Sequence, residues 1–284
     1  MGKEELIHYC INNSQYINSR IDAVDFISEV LGLSKTELIL MDNISNESTE
    51  KVKKVLAEFN TGKPVAKILN SVCFYGYNFY VNENVLTPRQ DSEWIVFIAD
   101  KIIRLGQKFE KDTIYKNIKV LDMCCGSGCL GLSIKKINEQ INLTVADISE
   151  KALDVAKINS INLNVSAEFV QTDMFEKIEG KFNIIVSNPP YIRTGDIESL
   201  EIQVKNYDPL IALDGKEDGL YFYKLIANNV GKHLEDDGVL ICEFGYDQAI
   251  KIKELFDKKF KDVKIYKDSG GNDRVVICKQ LKGE

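Results

Sequence analysis

Residues 119–131 read KVLDMCCGSGCLG, and this stretch decides the fold class. Val120, Leu121 and Met123 belong to a short apolar run that suits a buried strand. Glycines at 126, 128 and 131 then let the backbone turn tightly and come close to a ligand. The helical pattern that follows begins with N–H groups that have no partner inside the helix and face the same crevice. Strand, glycine bend and helix in that order are the opening unit of a doubly wound α/β domain. Read literally, Gly126-Ser127-Gly128-Cys129-Leu130-Gly131 is the G-x-G-x-x-G of dinucleotide enzymes, a signal of low specificity when it stands alone.

Outward from this unit the chain keeps a rhythm of strand and helix. Strand candidates are NIKVLDM, NLTVAD, AEFVQTD, FNIIVSN, GVLICEFG, DVKIYKD and RVVICK; helical stretches between them include LGLSIKKINEQ, SEKALDVAKINSIN and GLYFYKLIANNVGKHL. Short apolar strands separated by helices of this length predict a mostly parallel, seven-stranded sheet covered on both faces. The last two runs are joined by DSGGND without a helix, so they should pair antiparallel. DSEWIVFIADKIIRLG, ahead of the first strand, reads as an amphipathic helix.

The amino-terminal part has a different texture. Residues 3 to about 69 carry apolar positions at helical spacing, as in IDAVDFISEVLGL and STEKVKKVLAEFNTG. Ser48 or Thr49 is the expected cap of the second of these, with Gly62 and Pro64 as its stop. VCFYGYNFYVNENVLTP alternates aromatic and polar residues around Gly76, which reads as a β-hairpin leading into a loop. The expected organisation is a helical domain over 1–70, a hairpin linker over 71–90 and the α/β domain over 91–284.

Composition narrows the function. With 44% hydrophobic and 28% charged residues, the chain is ordinary for a globular protein, and no apolar run reaches the length of about eighteen needed for a membrane span. MGKEELIHYC carries charge where a signal peptide needs an apolar segment, so a cytoplasmic protein is expected. Seven cysteines, an odd number at irregular spacing, read as reduced thiols. Cys124, Cys125 and Cys129 do not match metal-knuckle spacing and have no nearby histidine, so no metal is expected. A net charge of −7 without a basic, aromatic cluster weighs against a dedicated nucleic-acid binder. Only His8 and His233 are present, neither beside a nucleophile, so chemistry resting on a histidine base is not expected.

Three successive strand ends carry groups suited to a nucleoside. Gly126 follows the first strand; Asp147 ends the second, 21 positions later, where a carboxylate receives ribose hydroxyls. Asp173 ends the third, followed by Met174 and Phe175, and suits an adenine edge. The plainer alternative is that Asp147 caps the helix starting near Ser149 and Asp173 merely ends a strand.

The fourth strand separates the candidate cofactors. FNIIVSNPPYI delivers Asn188 to the same rim and stops at Pro189 and Pro190. Proline fixes φ and donates nothing to a sheet ladder, so the acceptors of Asn188 and Pro189 are held rigidly. A planar NH2 group fits such acceptors, with Tyr191 as a flat wall. An amide nitrogen is a poor nucleophile because its lone pair is delocalised; two fixed acceptors favour the pyramidal nitrogen and stabilise the charge that develops on it. A strand-ending turn is the structural alternative.

These motifs resemble those of the PrmC/HemK family, the peptide chain release factor N5-glutamine methyltransferases. Beyond Asn188-Pro189-Pro190-Tyr191, FYGYNFYVNENVLTPRQDSE, YDPLIALDGKEDGL, LICEFGYDQ and GGNDRVVI are similar to the family's signatures, over roughly residues 64 to 279. The resemblance implies a Rossmann-like class I methyltransferase domain behind a helical domain that docks the release factor. S-adenosylmethionine is the implied cofactor. Cys124, Cys125, Gly126, Ser127 and Gly128 then line its methionine part, Asp147 holds the ribose, Asp173 and Met174 border adenine, and Asn188 also meets the cofactor. Asn188, Pro189, Pro190 and Tyr191 bind the target glutamine, with Asn188, Pro189 and Tyr191 as the catalytic group, while Arg89 and Glu93 shape the site from the linker side.

Two departures stand out. Cys124-Cys125-Gly126 replaces the family's Gly-Thr-Gly, so the first position is expected to take a conformation open to a side chain. Pro88-Arg89-Gln90-Asp91-Ser92-Glu93 keeps the acidity of the family's Pro-Arg-Pro-Glu-Thr-Glu-like segment and loses one proline. The expected protein is a monomer acting on release factors, without membrane or direct nucleic-acid contact. Rivals are a DNA or RNA amino-methyltransferase using the same cup, an NAD-linked oxidoreductase read from the glycines, and a non-catalytic adaptor.

Overall fold

The computed structural model describes residues 1–109 and 117–282; the parts of the expected α/β domain at 110–116 and 283–284 lie outside the described residues. Two compact units form: Met1–Ser71 with Glu201–Tyr207, and Val72–Leu200 with Asp208–Glu284.

The first unit is helical: α1 (Lys3–Asn12), α2 (Arg20–Leu31), α3 (Lys35–Leu40), α4 (Asn46–Phe59) and α5 (Val65–Leu69). Leu6, Ile7, Phe26, Ile27, Leu38, Val52 and Leu56 form its core. Local chemistry sets the helix ends. Ser19 accepts from Asp22 N at the start of α2, Gly32 closes that helix at φ 67°, and Ser34 with Glu37 makes a reciprocal capping box on α3. The expected cap of α4 is corrected: Ser45, not Ser48 or Thr49, accepts from Ser48 N, because the helix begins one turn earlier than its apolar pattern.

The second unit opens with the hairpin β1 (Ser71–Phe74) and β2 (Tyr77–Tyr80). Its two turn residues, Tyr75 and Gly76, both have positive φ, the geometry that matches the twist of a two-residue hairpin. After α6 (Glu93–Phe109) come β3 (Lys119–Met123), α7 (Cys129–Ile137), β4 (Asn142–Asp147), α8 (Glu150–Leu163), β5 (Glu168–Gln171) and β6 (Phe182–Ser187). The chain passes through the short helix α9 (Ile202–Lys205), which belongs to the first unit, and returns to the second with α10 (Leu210–Leu213), α11 (Tyr221–His233), β7 (Leu234–Glu243), α12 (Ala249–Asp257), β8 (Phe260–Lys267) and β9 (Asp273–Leu281).

The sheet order is β5-β4-β3-β6-β7-β9-β8, parallel throughout except where β9 runs antiparallel to both β7 and β8. The expected α/β class, strand number and terminal antiparallel pair are all present. Successive strand residues alternate between two cores, as the pleat requires. Val120, Val186 and Ile241 pack with Ile95, Leu132 and Leu153 on the α6–α8 face. Leu121, Ile185 and Leu240 pack with Tyr223, Ile226 and Phe256 on the α11–α12 face. Burial on both faces is why these strands read as continuous apolar runs. The chain order reverses between β3 and β6, so their carboxyl ends open a crevice where such sheets bind ligands. Among the described residues, no helix is long and apolar enough to cross a membrane.

Candidate active site

A cavity of about 300 Å³ lies at those carboxyl ends. Cys124, Cys125, Gly126 and Ser127 line it from the loop after β3, Asp147 and Ile148 from β4, Asp173 and Met174 after β5, and Asn188 and Pro190 after β6. Arg89 and Ser92 line it from the segment before α6. Four strands thus bring together most of the residues singled out from sequence. Gly128, Glu93, Pro189 and Tyr191 do not line it.

The loop after β3 is braced from beneath. Gly126 N donates to Asp147 Oδ2 at 2.9 Å and Ser149 N donates to Oδ1 at 2.9 Å. Asp147 is therefore not the cap of α8; Ser149 is, accepting from Ala152 N. Burial pushes the Asp147 carboxyl above its ordinary range, opposed by these N–H donors. Gly126 has φ 54°, and a Cβ built on it meets nothing within 4 Å, so its backbone is open to the cavity. Gly128 (φ 75°) instead packs inward: a Cβ there would lie 2.9 Å from Leu132 Cδ1.

At the first loop position the expectation is corrected. Cys124 keeps the left-handed conformation that a glycine adopts readily, with φ 59°. Met174 does the same at φ 46°, and the two sulfur atoms meet at 3.8 Å. Strained backbone at two facing strand ends is the pattern of a ligand-binding rim. Burial, then the nearby Asp147 charge, pushes the Cys124 and Cys125 thiols well above their ordinary value, so they stay protonated.

Asn188 sits at the tip of β6. Its Nδ2 donates to Ser92 Oγ at 3.3 Å, while Oδ1 is buried without a hydrogen-bond partner. Ser92 Oγ donates to Glu243 Oε2 at 2.5 Å, and Tyr191 Oη donates to Glu243 Oε1 at 3.2 Å. Tyr191 therefore braces the site through its hydroxyl. Burial raises the Glu243 carboxyl, against the Ser92 donor and the Arg274 cation. Pro189 and Pro190 are buried, and the following backbone is clamped. Gln248 Nε2 donates to Tyr191 O at 2.9 Å, Gly215 N donates to Ile192 O at 2.7 Å, and a Cβ on Gly215 would come within 2.7 Å of Tyr191 Cα. Only glycine lets YDPLIALDG pass this close.

Glu93, expected to shape the site from the linker side, does not itself line the cavity. It accepts from Tyr75 N at 2.8 Å and ties the hairpin turn to the start of α6. Four further residues matter and were not singled out as site residues. Asn159 joins the hairpin to the loop, donating to Tyr80 O and Ser127 O at 2.9 Å each. Asp122, fully buried inside β3, accepts from Gly131 N at 2.8 Å and has its other oxygen unpartnered; burial lifts its pKa to about 7. Ser92 and Glu243 complete the list. A carboxylate inside an apolar strand, as in KVLDM and LICEFG, is the signal that marks Asp122 and Glu243.

These groups fit an adenosyl cofactor and an N–H-bearing target beside it: open backbone at Gly126, a braced carboxylate acceptor at the end of the second strand, and an unpaired amide oxygen acceptor after the fourth. Comparison with known proteins agrees. The methyltransferase small domain model matches residues 102–205. Release factor glutamine methyltransferase of Fusobacterium nucleatum subsp. nucleatum is 36% identical over 275 residues, covering 94% of this chain and 75% of that protein. The Agrobacterium fabrum protein of the same name is 33% identical over 270 residues, covering 92% and 90%. A methyltransferase from Pyrococcus furiosus shares the fold with a TM-score of 0.51 at 17% identity, over 82% of this chain and 98% of that one. The NAD-linked and nucleic-acid alternatives are not favoured by these likenesses, and the chain belongs to the release factor glutamine methyltransferase family.

Proposed function

We propose that this chain transfers a methyl group from S-adenosylmethionine to the side-chain nitrogen of the glutamine in the Gly-Gly-Gln motif of peptide chain release factors. The observation that carries this reading is Asn188 Oδ1, buried at the tip of β6, without a partner, on a residue that lines the cavity.

When bound, the cofactor would supply an electrophilic methyl group on a positively charged sulfur; the S–CH3 bond breaks as the N–CH3 bond forms, and the product S-adenosylhomocysteine leaves. Cys124, Cys125, Gly126 and Ser127 border its methionine part, with Gly128 setting the bend behind them. Asp147 accepts from the ribose hydroxyls, and Asp173 and Met174 border the adenine. Asn188 Oδ1 and the Pro189 carbonyl accept the two N–H bonds of the target carboxamide, which orients its nitrogen and stabilises positive charge on it. Pro190 and Tyr191 hold that cup rigid, and Arg89 borders the entrance. The proton lost from nitrogen passes to solvent. The helical part, residues 1–70, docks the body of the release factor, and the chain works as a monomer.

The test is methyl transfer from labelled S-adenosylmethionine to purified release factor, with DNA and RNA oligonucleotides as competing acceptors. Label on the release factor alone is expected. Label on nucleic acid and none on release factor contradicts the reading.

A further inference from the structure

An amide acceptor works only with its oxygen toward the ligand. Asn188 carries an oxygen and an NH2 on one planar group, and a half-turn about its last torsion exchanges them. Presented the other way round, it would set its own N–H donors against the donors of a target carboxamide. Something must decide between the two orientations, and Pro189 and Pro190 act only on the backbone.

Hydrogen-bond direction around Ser92 supplies that decision. Glu243 lies at the end of β7, 1% exposed; burial pushes its carboxyl up, but the Ser92 and Tyr191 hydroxyls and the Arg274 cation favour the ionised form, and an ionised carboxylate only accepts. It takes the Ser92 hydroxyl hydrogen on Oε2 at 2.5 Å and the Tyr191 hydroxyl hydrogen on Oε1 at 3.2 Å. A serine hydroxyl has one hydrogen, so once it is given to Glu243, Ser92 Oγ meets Asn188 only as an acceptor. Asn188 must then turn Nδ2 toward Ser92, as it does at 3.3 Å, and Oδ1 is the atom left unpaired. Ser92 is itself 3% exposed, so water does not compete for these positions.

We infer that Ser92 and Glu243 are positioning residues: a one-way hydrogen-bond chain from Asn188 through Ser92 to Glu243, shared with Tyr191, fixes the Asn188 carboxamide with its oxygen as the free acceptor. This rests on the proposed role of Asn188 in holding the target amide. It assigns work to the glutamate of LICEFG and to the serine of PRQDSE that packing alone does not require.

The chain can be reversed on paper. In Glu243→Gln, Oε1 still accepts from Tyr191, but Nε2 now donates to Ser92, whose freed hydrogen points at residue 188 and favours the flipped amide. Adding Asn188→Asp places an acceptor on both sides of residue 188, so the reversed chain is satisfied and an oxygen again serves the ligand. The two changes also leave the net charge unaltered.

The experiment measures two things on the parent, Glu243→Gln, Asn188→Asp and the double variant. The first is hydrogen exchange of the Asn188 side-chain NH2 by NMR with labelled asparagine, assigned by its loss in Asn188→Asp. The second is kcat on release factor, with S-adenosylhomocysteine binding as a control for an intact cofactor site. Expected are slow amide exchange in the parent, exchange at least about tenfold faster in Glu243→Gln, and a kcat lower by about 10- to 100-fold with cofactor affinity retained. The double variant should turn over faster than either single one. Parental exchange and kcat in Glu243→Gln, or a double variant no more active than Glu243→Gln, would overturn the inference. If Glu243→Gln does not fold, Ser92→Ala carries the same two measurements, and parental values in both would overturn it. A parent that leaves release factor unmethylated refutes the substrate reading instead, while the exchange data still decide the orientation.

Discussion

Gly126 donates its backbone N–H to Asp147 Oδ2 at 2.9 Å, so the end of β4 fixes the loop that follows β3. One carboxylate thereby shapes the glycine bend and lines the cavity. Replacing Asp147 by alanine removes both roles at once. Loss of charge-assisted hydrogen bonds predicts a Kd for S-adenosylmethionine raised by about 10- to 100-fold, with kcat at saturating cofactor little changed. Calorimetric titration alongside initial rates checks this split; an unchanged Kd contradicts it.

Two glycines of the same motif should fail differently. A Cβ on Gly131 would lie 2.8 Å from Asp122 Cβ and 2.9 Å from Leu143 Cδ1, inside the packed joint between α7 and the sheet. Gly131→Ala should therefore lower stability by about 1–3 kcal/mol through overpacking. At Gly126 nothing lies within 4 Å, but φ is 54° and the new methyl would enter the cavity. Gly126→Ala should cost only about 1–2 kcal/mol of stability while weakening cofactor binding more than Gly131→Ala does. Urea unfolding and cofactor titration of both variants separate the two effects, and the same order of loss in both measurements contradicts this assignment.

Asp122 predicts a pH dependence of stability. Its carboxyl titrates near 3.8 when unfolded and at about 7 when folded, raised by burial. Between about pH 4 and pH 7 the folded protein holds a proton that the unfolded chain has lost, so this group's contribution is complete below pH 4 and is lost as pH rises through 7. Asp147 and Glu243 are shifted in the same direction, so the informative quantity is the difference between the parent and Asp122→Asn. That difference in unfolding free energy should move in the variant's favour from pH 4.5 to pH 8. Parallel stability curves would remove the assignment.

The sheet was legible because strands buried on both faces must be apolar along their length, and FNIIVS and GVLICE meet that demand with no helical period. β7 begins well ahead of GVLICEFG, at Leu234, which pairs with Phe182 ahead of a bulge, and β8 begins at Phe260, ahead of DVKIYKD. Residues of the site that end parallel strands, such as Asp147 and Asn188, were equally legible, since parallel strand ends share one rim. Ser92 and Glu243 were not, because they are 151 positions apart and meet only when the start of α6 reaches the tip of β7. The partner of Glu93 was not legible for a related reason: a charge at a helix start is available to any neighbour, and here the hairpin turn takes it. At Cys124 the side chain suggested ordinary backbone, but the bend demands positive φ whatever residue occupies it.

Locating the methyl group decides whether Asn188 presents a carboxamide to the cofactor. Release factor is incubated with labelled S-adenosylmethionine and either the parent or Asn188→Ala, digested, and read by peptide mass spectrometry. Label is expected on the glutamine of Gly-Gly-Gln with the parent, with a rate lower by at least about 10² in Asn188→Ala although the variant still folds and binds cofactor. Label on another residue, or a folded Asn188→Ala that turns over at the parental rate, contradicts this role of Asn188.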